Sequence, residues 1–325
     1  MRTTPGTTTA ITITDTSMRD ITLKPTTLRS ATASGRIRLG AEGIAMVRER
    51  RVDKGDVVEC ARIAGIMAVK QTPNWLPHCH PIPVLDAHLD FEPEDDALAI
   101  RATVRTIAAT GIEMEALTAV SAAALCVYDM MKPHVDTGTL RIDGIHLAEK
   151  KGGKTQFGRK AKAGRAAVIV LSDTVAAGKK PDTAGRSVAD GLADAGFDIA
   201  GYEVLPDEPE QLDRRLRAWL EQRPDLIVTV GGTGVGARDR TVETVQPLLS
   251  TELPGLMEAA RGFGQARTPY AMLSRGIAGL AGGTVVCTFP GSRKGAEETL
   301  AAILPGLVHL IEVCRFSRPH EGGYT

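Results

Sequence analysis

The chain of 325 residues carries 39 Lys+Arg against 39 Asp+Glu, with 43% apolar, 24% charged and only 4% aromatic residues. That is the composition of an ordinary globular protein, and zero net charge argues against a nucleic-acid binder, which needs a basic excess to neutralise phosphates. The length favours two domains, whose cores must be built from Ala, Val, Leu and Ile because aromatics are few. The cysteines at 60, 79, 126, 287 and 314 form no CxxC pair and read as reduced thiols of a cytoplasmic protein.

In chain order, residues 1–16 are Thr-rich, without a charged stretch followed by an apolar core, and predict a disordered leader with neither signal peptide nor membrane span. A helix is expected over 59–71. Strands are expected over 84–91, where Ala87, Leu89 and Phe91 alternate with Asp86, His88 and Asp90, and over 97–106; Pro93 and an acidic turn join them as a hairpin. An Ala-rich helix follows over 111–132, ended by Pro133. This is an α+β arrangement. Apolar periodicity vanishes over 149–165, where Lys, Arg and Gly dominate, and that stretch reads as a hinge or, in its first half, as a grip for an anion. Gly153-Lys154-Thr155 is not a P-loop, because the glycine required five positions earlier is Ala148. Beyond the hinge, strands at 166–172, 199–205, 225–230 and 284–289 alternate with helices at 184–195, 208–222 and the C-terminus, which predicts a mostly parallel sheet covered on both faces. The domain limits are therefore 17–158, a basic linker 159–165, 166–318, and a tail 319–325.

Four segments in the first half concentrate reactive side chains. Lys54 precedes Gly55; His78-Cys79-His80 lies between Pro77 and Pro81, which should hold it extended; Glu113-Met114-Glu115 opens the Ala-rich helix, and Asp129 and Lys132 close it. Such a density of amines, imidazole and carboxylates suits proton transfer on a polyanionic substrate. Each also has a plainer reading: a turn at Lys54, a surface ion pair between Asp129 and Lys132, and Glu113 and Glu115 on different faces of the helix. No second Cys/His cluster accompanies 78–80, so no metal is expected there. Glu115 and Asp129 share a helix face but lie about 21 Å apart along the axis, so one compact site needs other segments or another subunit. A site at the interface of a homo-oligomer is the expectation.

In this order, the runs KGDVVECARIAGIMAVKQT, LPHCHPI, GIEMEALTAVSAAALCVYDMMK and KKGGK closely resemble the MoaC-type cyclic pyranopterin monophosphate synthases of molybdenum cofactor biosynthesis, over about 17–158. The resemblance implies a ferredoxin-like α+β fold and a hexamer with sites at dimer interfaces. It also implies conversion of 3′,8-cyclo-7,8-dihydroguanosine triphosphate into cyclic pyranopterin monophosphate and pyrophosphate, without a cofactor. Asp129, Lys132 and Lys54 match the catalytic positions. His78, Cys79, His80, Glu113, Met114, Glu115, Arg29 and Lys24 match substrate-contacting stretches, with Lys154 a further phosphate partner. The family usually has Leu where this chain has His78. Clustered cations and partial burial are expected to lower a lysine's pKa toward neutrality.

In the second half, DLIVTV runs into Gly231-Gly232-Thr233-Gly234-Val235-Gly236 and then Asp239. Glycines let backbone N–H groups approach an anion, but the spacing is not that of a dinucleotide fingerprint. Together with LSDTVAAGKKPDTAGR, VLPDEP, LPGLMEAAR and FPGSRKG, this run resembles the MoaB/MogA-type molybdopterin-binding family over about 166–315. The resemblance implies an α/β three-layer domain that adenylates molybdopterin with Mg-ATP, or one that only binds or scaffolds it. Asp207 and Asp239 match acidic positions that would hold magnesium, and Thr183, Gly185, Gly232, Thr233, Gly234 and Ser292 match ligand-binding turns. Pro-Asp-Glu-Pro also allows Asp207 to be only a helix cap. The expected partners are small phosphorylated pterins and nucleotides and further copies of the chain in a trimer-based hexamer, with no nucleic acid and no membrane.

Overall fold

The computed structural model describes residues 17–153 and 163–316 and forms two compact units, the first ending at Gly153. The leader 1–16, Lys154, the linker residues 159–162 and the tail 319–325 lie outside the described residues.

The first unit runs β1 (Thr27–Arg38), α1 (Gly40–Arg48), α2 (Val57–Trp75), β2 (Asp86–Pro93), β3 (Ala97–Ala108), α3 (Glu113–Met131) and β4 (Arg141–Lys151). Its sheet has the order β2-β3-β1-β4 with every pair antiparallel, the ferredoxin-like α+β arrangement expected. The hairpin closes where Glu94 N donates to Ala97 O at 2.8 Å. Asp56 starts α2, its carboxylate accepting from Val58 N at 3.0 Å and Glu59 N at 3.1 Å, which satisfies two free helix-end donors. The helix continues past Pro73 to Trp75, four residues beyond the expected end. Small residues let α2 and α3 approach closely. A Cβ on Gly65 would meet Leu89 Cδ2 at 2.3 Å and the Ala119 carbonyl oxygen at 3.1 Å. Helix α3 is the one described helix apolar and long enough to cross a membrane, yet Ala116, Ala119, Val120, Ala123 and Val127 are buried in the core of this unit.

Two strands correct the sequence reading. No element was expected over 27–38, where the central strand β1 lies. Glu149–Lys151, read as the start of the hinge, instead ends β4, with Lys151 opposite Ser30 and Lys150 opposite Ala31.

The second unit contains β5 (Gly164–Leu171), β6 (Phe197–Leu205), β7 (Leu226–Val230), β8 (Thr251–Glu252), β9 (Ala278–Ala281) and β10 (Thr284–Phe289), so that β5 takes the last two residues of the expected linker 159–165. The sheet order is β6-β5-β7-β10-β9-β8; the first four are parallel and β9 is antiparallel to both neighbours. Alternate residues of β5 feed opposite cores. Ala166, Val168 and Val170 pack with the helices Ala184–Asp194, Pro254–Gln265 and Arg293–Phe316, whereas Ala167, Ile169 and Leu171 pack with Leu212, Leu216 and Trp219 of Pro209–Glu221. Burial on both faces accounts for the continuous apolar run of this strand and for the three layers.

Candidate active sites

In the first unit, two lysines hold one carboxylate at the C-terminal end of α3. Lys54 Nζ donates to the Asp129 carbonyl oxygen at 2.8 Å and to Oδ2 at 3.1 Å, while Lys132 Nζ donates to Oδ1 at 2.7 Å. Lys54 reaches this point from the turn before α2, where Gly55 has φ +110°, a conformation that favours glycine. Both ammonium groups also sit where the α3 carbonyls leave partial negative charge. The hydrogen bonds from Lys132 and Lys54 hold the Asp129 carboxyl below the usual carboxylate range. Lys132 is raised by the same carboxylate, which corrects the expected depression. Its side chain is 53% exposed and its nearest charge is opposite in sign, so the conditions that lower an amine's pKa are absent. The arrangement is an ionised base hydrogen-bonded to a protonated acid.

Other candidates gather at the opposite end of α3. Glu113 pairs with Lys150 at 2.5 Å, and Arg29 Nε donates to the Ala108 carbonyl oxygen at 3.4 Å. Burial works to raise Glu113, but the Lys150 hydrogen bond and the Arg29 charge prevail and lower it; burial in turn lowers Arg29. Glu115 is only 3% exposed, and burial, with some repulsion from Glu113, raises its pKa. Cys79 stands within electrostatic reach of Glu115, its thiol raised first by burial and then by that charge. Met114 and His78 are exposed and His80 is half-buried. The segment is not extended throughout as expected, since His78 lies in a turn. Cys79 N donates to Leu76 O at 2.9 Å, closing a turn for which Pro77 presets the backbone. Lys24 lies in a bend before β1. Within one copy, the structure thus separates the Asp129 group from the Glu113, Glu115 and Cys79 group by nearly the length of α3.

The second unit gathers most of its candidates around one cavity. A cavity of about 460 Å³ opens at the carboxyl ends of β5, β7 and β10, where parallel sheets place ligands, and Thr183, Asp207, Gly232, Thr233, Gly234 and Asp239 all line it. The loop must begin with glycine. A Cβ on Gly231 (φ +117°) would meet the Leu171 carbonyl oxygen at 2.2 Å, and one on Gly232 (φ +65°) would meet Thr241 Oγ1 at 2.1 Å. Asp239 Oδ2 accepts from Gly236 N at 2.8 Å and so orders the loop. Asp207 does not cap the helix that follows it: position 208 precedes that helix, and the Asp207 carboxylate accepts from Asp173 N at 3.0 Å while Asp173 accepts from Asp207 N at 3.0 Å. Gly185 lies beneath the cavity, where a Cβ would meet Val170 Cγ2 at 2.3 Å. Ser292 lines a second, adjoining cavity and accepts from Gly295 N at 3.2 Å, capping the last helix.

Burial, then the charges of Asp173 and Asp239, raises the Asp207 carboxyl, opposed by the Asp173 N–H and Arg238. A cation would relieve that crowding. Magnesium commonly takes one or two carboxylates and completes its shell with water and substrate phosphates, and Asp207 and Asp239 on one cavity fit that donor set. Among the described residues, no group of three or more His, Cys, Asp or Glu forms a closed cage.

Several residues escaped the sequence reading because they act on backbone or on distant partners. Arg275 Nε donates to Gly234 O at 2.6 Å and Nη2 to Asp239 O at 2.6 Å, bracing the glycine loop across 41 and 36 residues. Arg238 bridges Asp173 at 2.9 Å and Glu208 at 3.0 Å, and Lys180 adds a cation to the cavity wall. In the first unit, His134 Nε2 lies 3.0 Å from Asp53 Oδ1, next to Lys54 in the chain. Only Lys180 and Arg238 carried a signal, as parts of the GKKPDTAGR and GGTGVGARDRTVE runs.

The chain matches the MoaC family over residues 18–153 and the family described as a probable molybdopterin binding domain over residues 167–309. A molybdenum cofactor biosynthesis bifunctional protein of Chlorobaculum tepidum is 42% identical, across 90% of this chain and 92% of its own length. A cyclic pyranopterin monophosphate synthase of Thermomicrobium roseum is 50% identical, across 42% of this chain and 83% of its own. The crystal structure of the molybdopterin biosynthesis enzyme MoaB of Thermus thermophilus is 42% identical, covering 48% of this chain and 98% of that one, with a TM-score of 0.45.

Proposed function

Because the chain belongs to the family of bifunctional molybdenum cofactor biosynthesis proteins, we propose that its first unit is a cyclic pyranopterin monophosphate synthase and that its second unit adenylates molybdopterin. The observation that carries the first half is the Asp129 carboxylate held between Lys54 and Lys132. Rearranging a purine-derived ring moves protons repeatedly, and an ionised carboxylate beside a protonated amine can take one and return one without a cofactor. Lys54 and Arg29 offset the charge of the triphosphate and of the departing pyrophosphate.

The two ends of α3 act together when one copy presents Asp129, Lys54 and Lys132 and another presents Glu113, Glu115, Cys79 and His80. A homo-oligomer, trimer-based as in the expected hexamer, meets that need. The test is complementation: Lys132→Ala and His80→Ala chains, each inactive alone, should regain part of the pyrophosphate release when unfolded and refolded together. Mixtures as inactive as their components overturn the shared site.

In the second unit, the glycine loop positions backbone N–H groups for phosphates, Thr233 and Lys180 line the same wall, and Asp207 and Asp239 would hold magnesium, which would supply positive charge to offset that of nucleotide phosphates. Adenylyl transfer from ATP to molybdopterin by the full chain is the corresponding assay. Binding without transfer assigns this unit as a molybdopterin-binding module instead. The two reactions are not consecutive, since the first product lacks the dithiolene, so fusion is read as fixing stoichiometry rather than channelling.

A further inference from the structure

Asp182, Asp207 and Asp239 all line the cavity of about 460 Å³ in the second unit, but they are not equivalent. Asp207 and Asp239 each engage a backbone N–H through one oxygen, Oδ2 in both cases. Asp182 has both oxygens committed: Oδ1 accepts from Gly185 N at 2.9 Å, and Oδ2 accepts from the Tyr202 hydroxyl. Tyr202 stands on β6, opposite Val168 of β5, so this donor comes from the sheet. The Arg186 guanidinium lies 4.1 Å from the centroid of its ring and holds the ring by a cation–π contact. A Cβ on Gly185 would lie 2.4 Å from Asp182 Oδ2 and 2.7 Å from the Tyr202 hydroxyl, so the glycine makes room for this bond. Burial, and then Asp182, raise the hydroxyl above the usual tyrosine range, which keeps it a donor at neutral pH.

The bond anchors a strap that has little else to fix it. Residues 177–183 connect the short helix Asp173–Ala176 to the helix Ala184–Asp194. The start of the strap closes on itself where Lys179 N donates to Thr174 O at 2.9 Å, but among the described residues 180–182 make no backbone-to-backbone hydrogen bond. Asp182 is therefore what ties this stretch to the sheet, and Lys180, two residues before it, lines the cavity. We propose that Tyr202 is a positioning residue for nucleotide binding: by donating to Asp182 it fixes the strap and holds Lys180 on the cavity wall, against the phosphates of ATP. Asp182 is then an anchor and not a magnesium ligand, which leaves the metal to Asp207 and Asp239. The inference rests on the second unit taking ATP for adenylyl transfer.

Adenylyl transfer by the full chain is followed as ATP is varied, in wild type, Tyr202→Phe, Lys180→Met and the double variant. Tyr202→Phe keeps the ring and its Arg186 contact and removes only the hydroxyl. Its KM for ATP should rise about three- to tenfold with kcat nearly unchanged, because a misplaced phosphate partner weakens binding without touching the reacting atoms. Lys180→Met should raise KM at least as much, and adding Tyr202→Phe to it should change KM no further, since the hydroxyl acts through that amine. A merely structural role would add its own penalty in both backgrounds. An unchanged KM in Tyr202→Phe, a loss confined to kcat, or additive effects in the double variant overturns the inference while transfer by wild type upholds the adenylation reading. If wild type transfers no adenylyl group, displacement of a fluorescent ATP analogue by Mg-ATP is compared across the same four chains, and binding at the first unit, common to all four, drops out. Non-additive weakening in that comparison sustains the inference while the adenylation reading falls. Absence of any Lys180-dependent binding overturns both.

Discussion

The two units put their reactive groups in opposite surroundings. In the first, Asp129 and Lys132 sit in the open on a helix end, with side chains 59% and 53% exposed. In the second, Asp207 and Asp239 line a cavity together with the glycine loop at the ends of parallel strands. The difference follows from layer geometry. A parallel sheet with helices on both faces leaves a crevice at its strand ends. In the antiparallel unit the chemistry lies instead at the two ends of one helix. Consequently Asp129 and Lys132 are shifted by each other as an exposed ion pair, while Asp207 is shifted by burial and like charge.

The sharpest way to break that comparison is to remove the exposed acid. Lys132→Ala should cut pyrophosphate release by about a hundredfold to ten-thousandfold, the range for a positioned acid or base, with the assembly's mass by light scattering unchanged; near-normal turnover sinks the assignment. Next in size, Asp239→Asn keeps an acceptor for Gly236 N and so preserves the loop, yet adenylyl transfer should fall about a hundredfold as the anionic charge is lost. Retained transfer in that variant would reduce Asp239 to a loop brace. Arg275→Met removes charged donors from the Gly234 and Asp239 carbonyls and should destabilise the second unit by about 2 kcal/mol, read from its urea transition. An unchanged midpoint would show that the loop holds itself.

The smallest effect concerns Glu115, whose folded pKa lies above its unfolded value. The folded chain then binds the proton more tightly, so stability falls as pH rises from below the unfolded pKa through the folded one, and the penalty is complete above the folded pKa. Glu115→Gln should raise the Tm at pH 7, with the gain fading below the ordinary glutamate range. A gain that does not vary with pH would assign the effect to packing.

Strands with clear period-2 burial were legible, and so was the parallel order of the second unit, because β5 and β7 are continuous apolar runs. Strand β1 was not. Its buried positions are mostly Ala31, Ala33 and Gly35, too small to produce a hydrophobic alternation, and Gly35 is required where a Cβ would meet Val120 Cγ1 at 2.8 Å. Strand β4 was hidden by charge, since an edge strand with one open face tolerates Lys and Glu. At the sites, spacing on one helix joined Asp129 to Lys132, but nothing local joins Lys54 to Asp129 across 75 residues, or Arg275 to the glycine loop. Those contacts use single side chains on backbone or on far partners, for which a sequence has no period.

The position of β1 in the first sheet bears on how the chain is made. Its two neighbours are β3 and β4, both later in sequence, so during synthesis this inner strand emerges before either, waits unpaired until residues near 108 have followed, and gains its second neighbour only after residues near 151. Pairing across such separations is slow and leaves sheet edges open to other nascent chains. The serines, threonines and arginines of β1, poor as a hydrophobic signal, keep that waiting segment from sticking, so the same small polar sequence that conceals the strand from a reader also protects it on the ribosome.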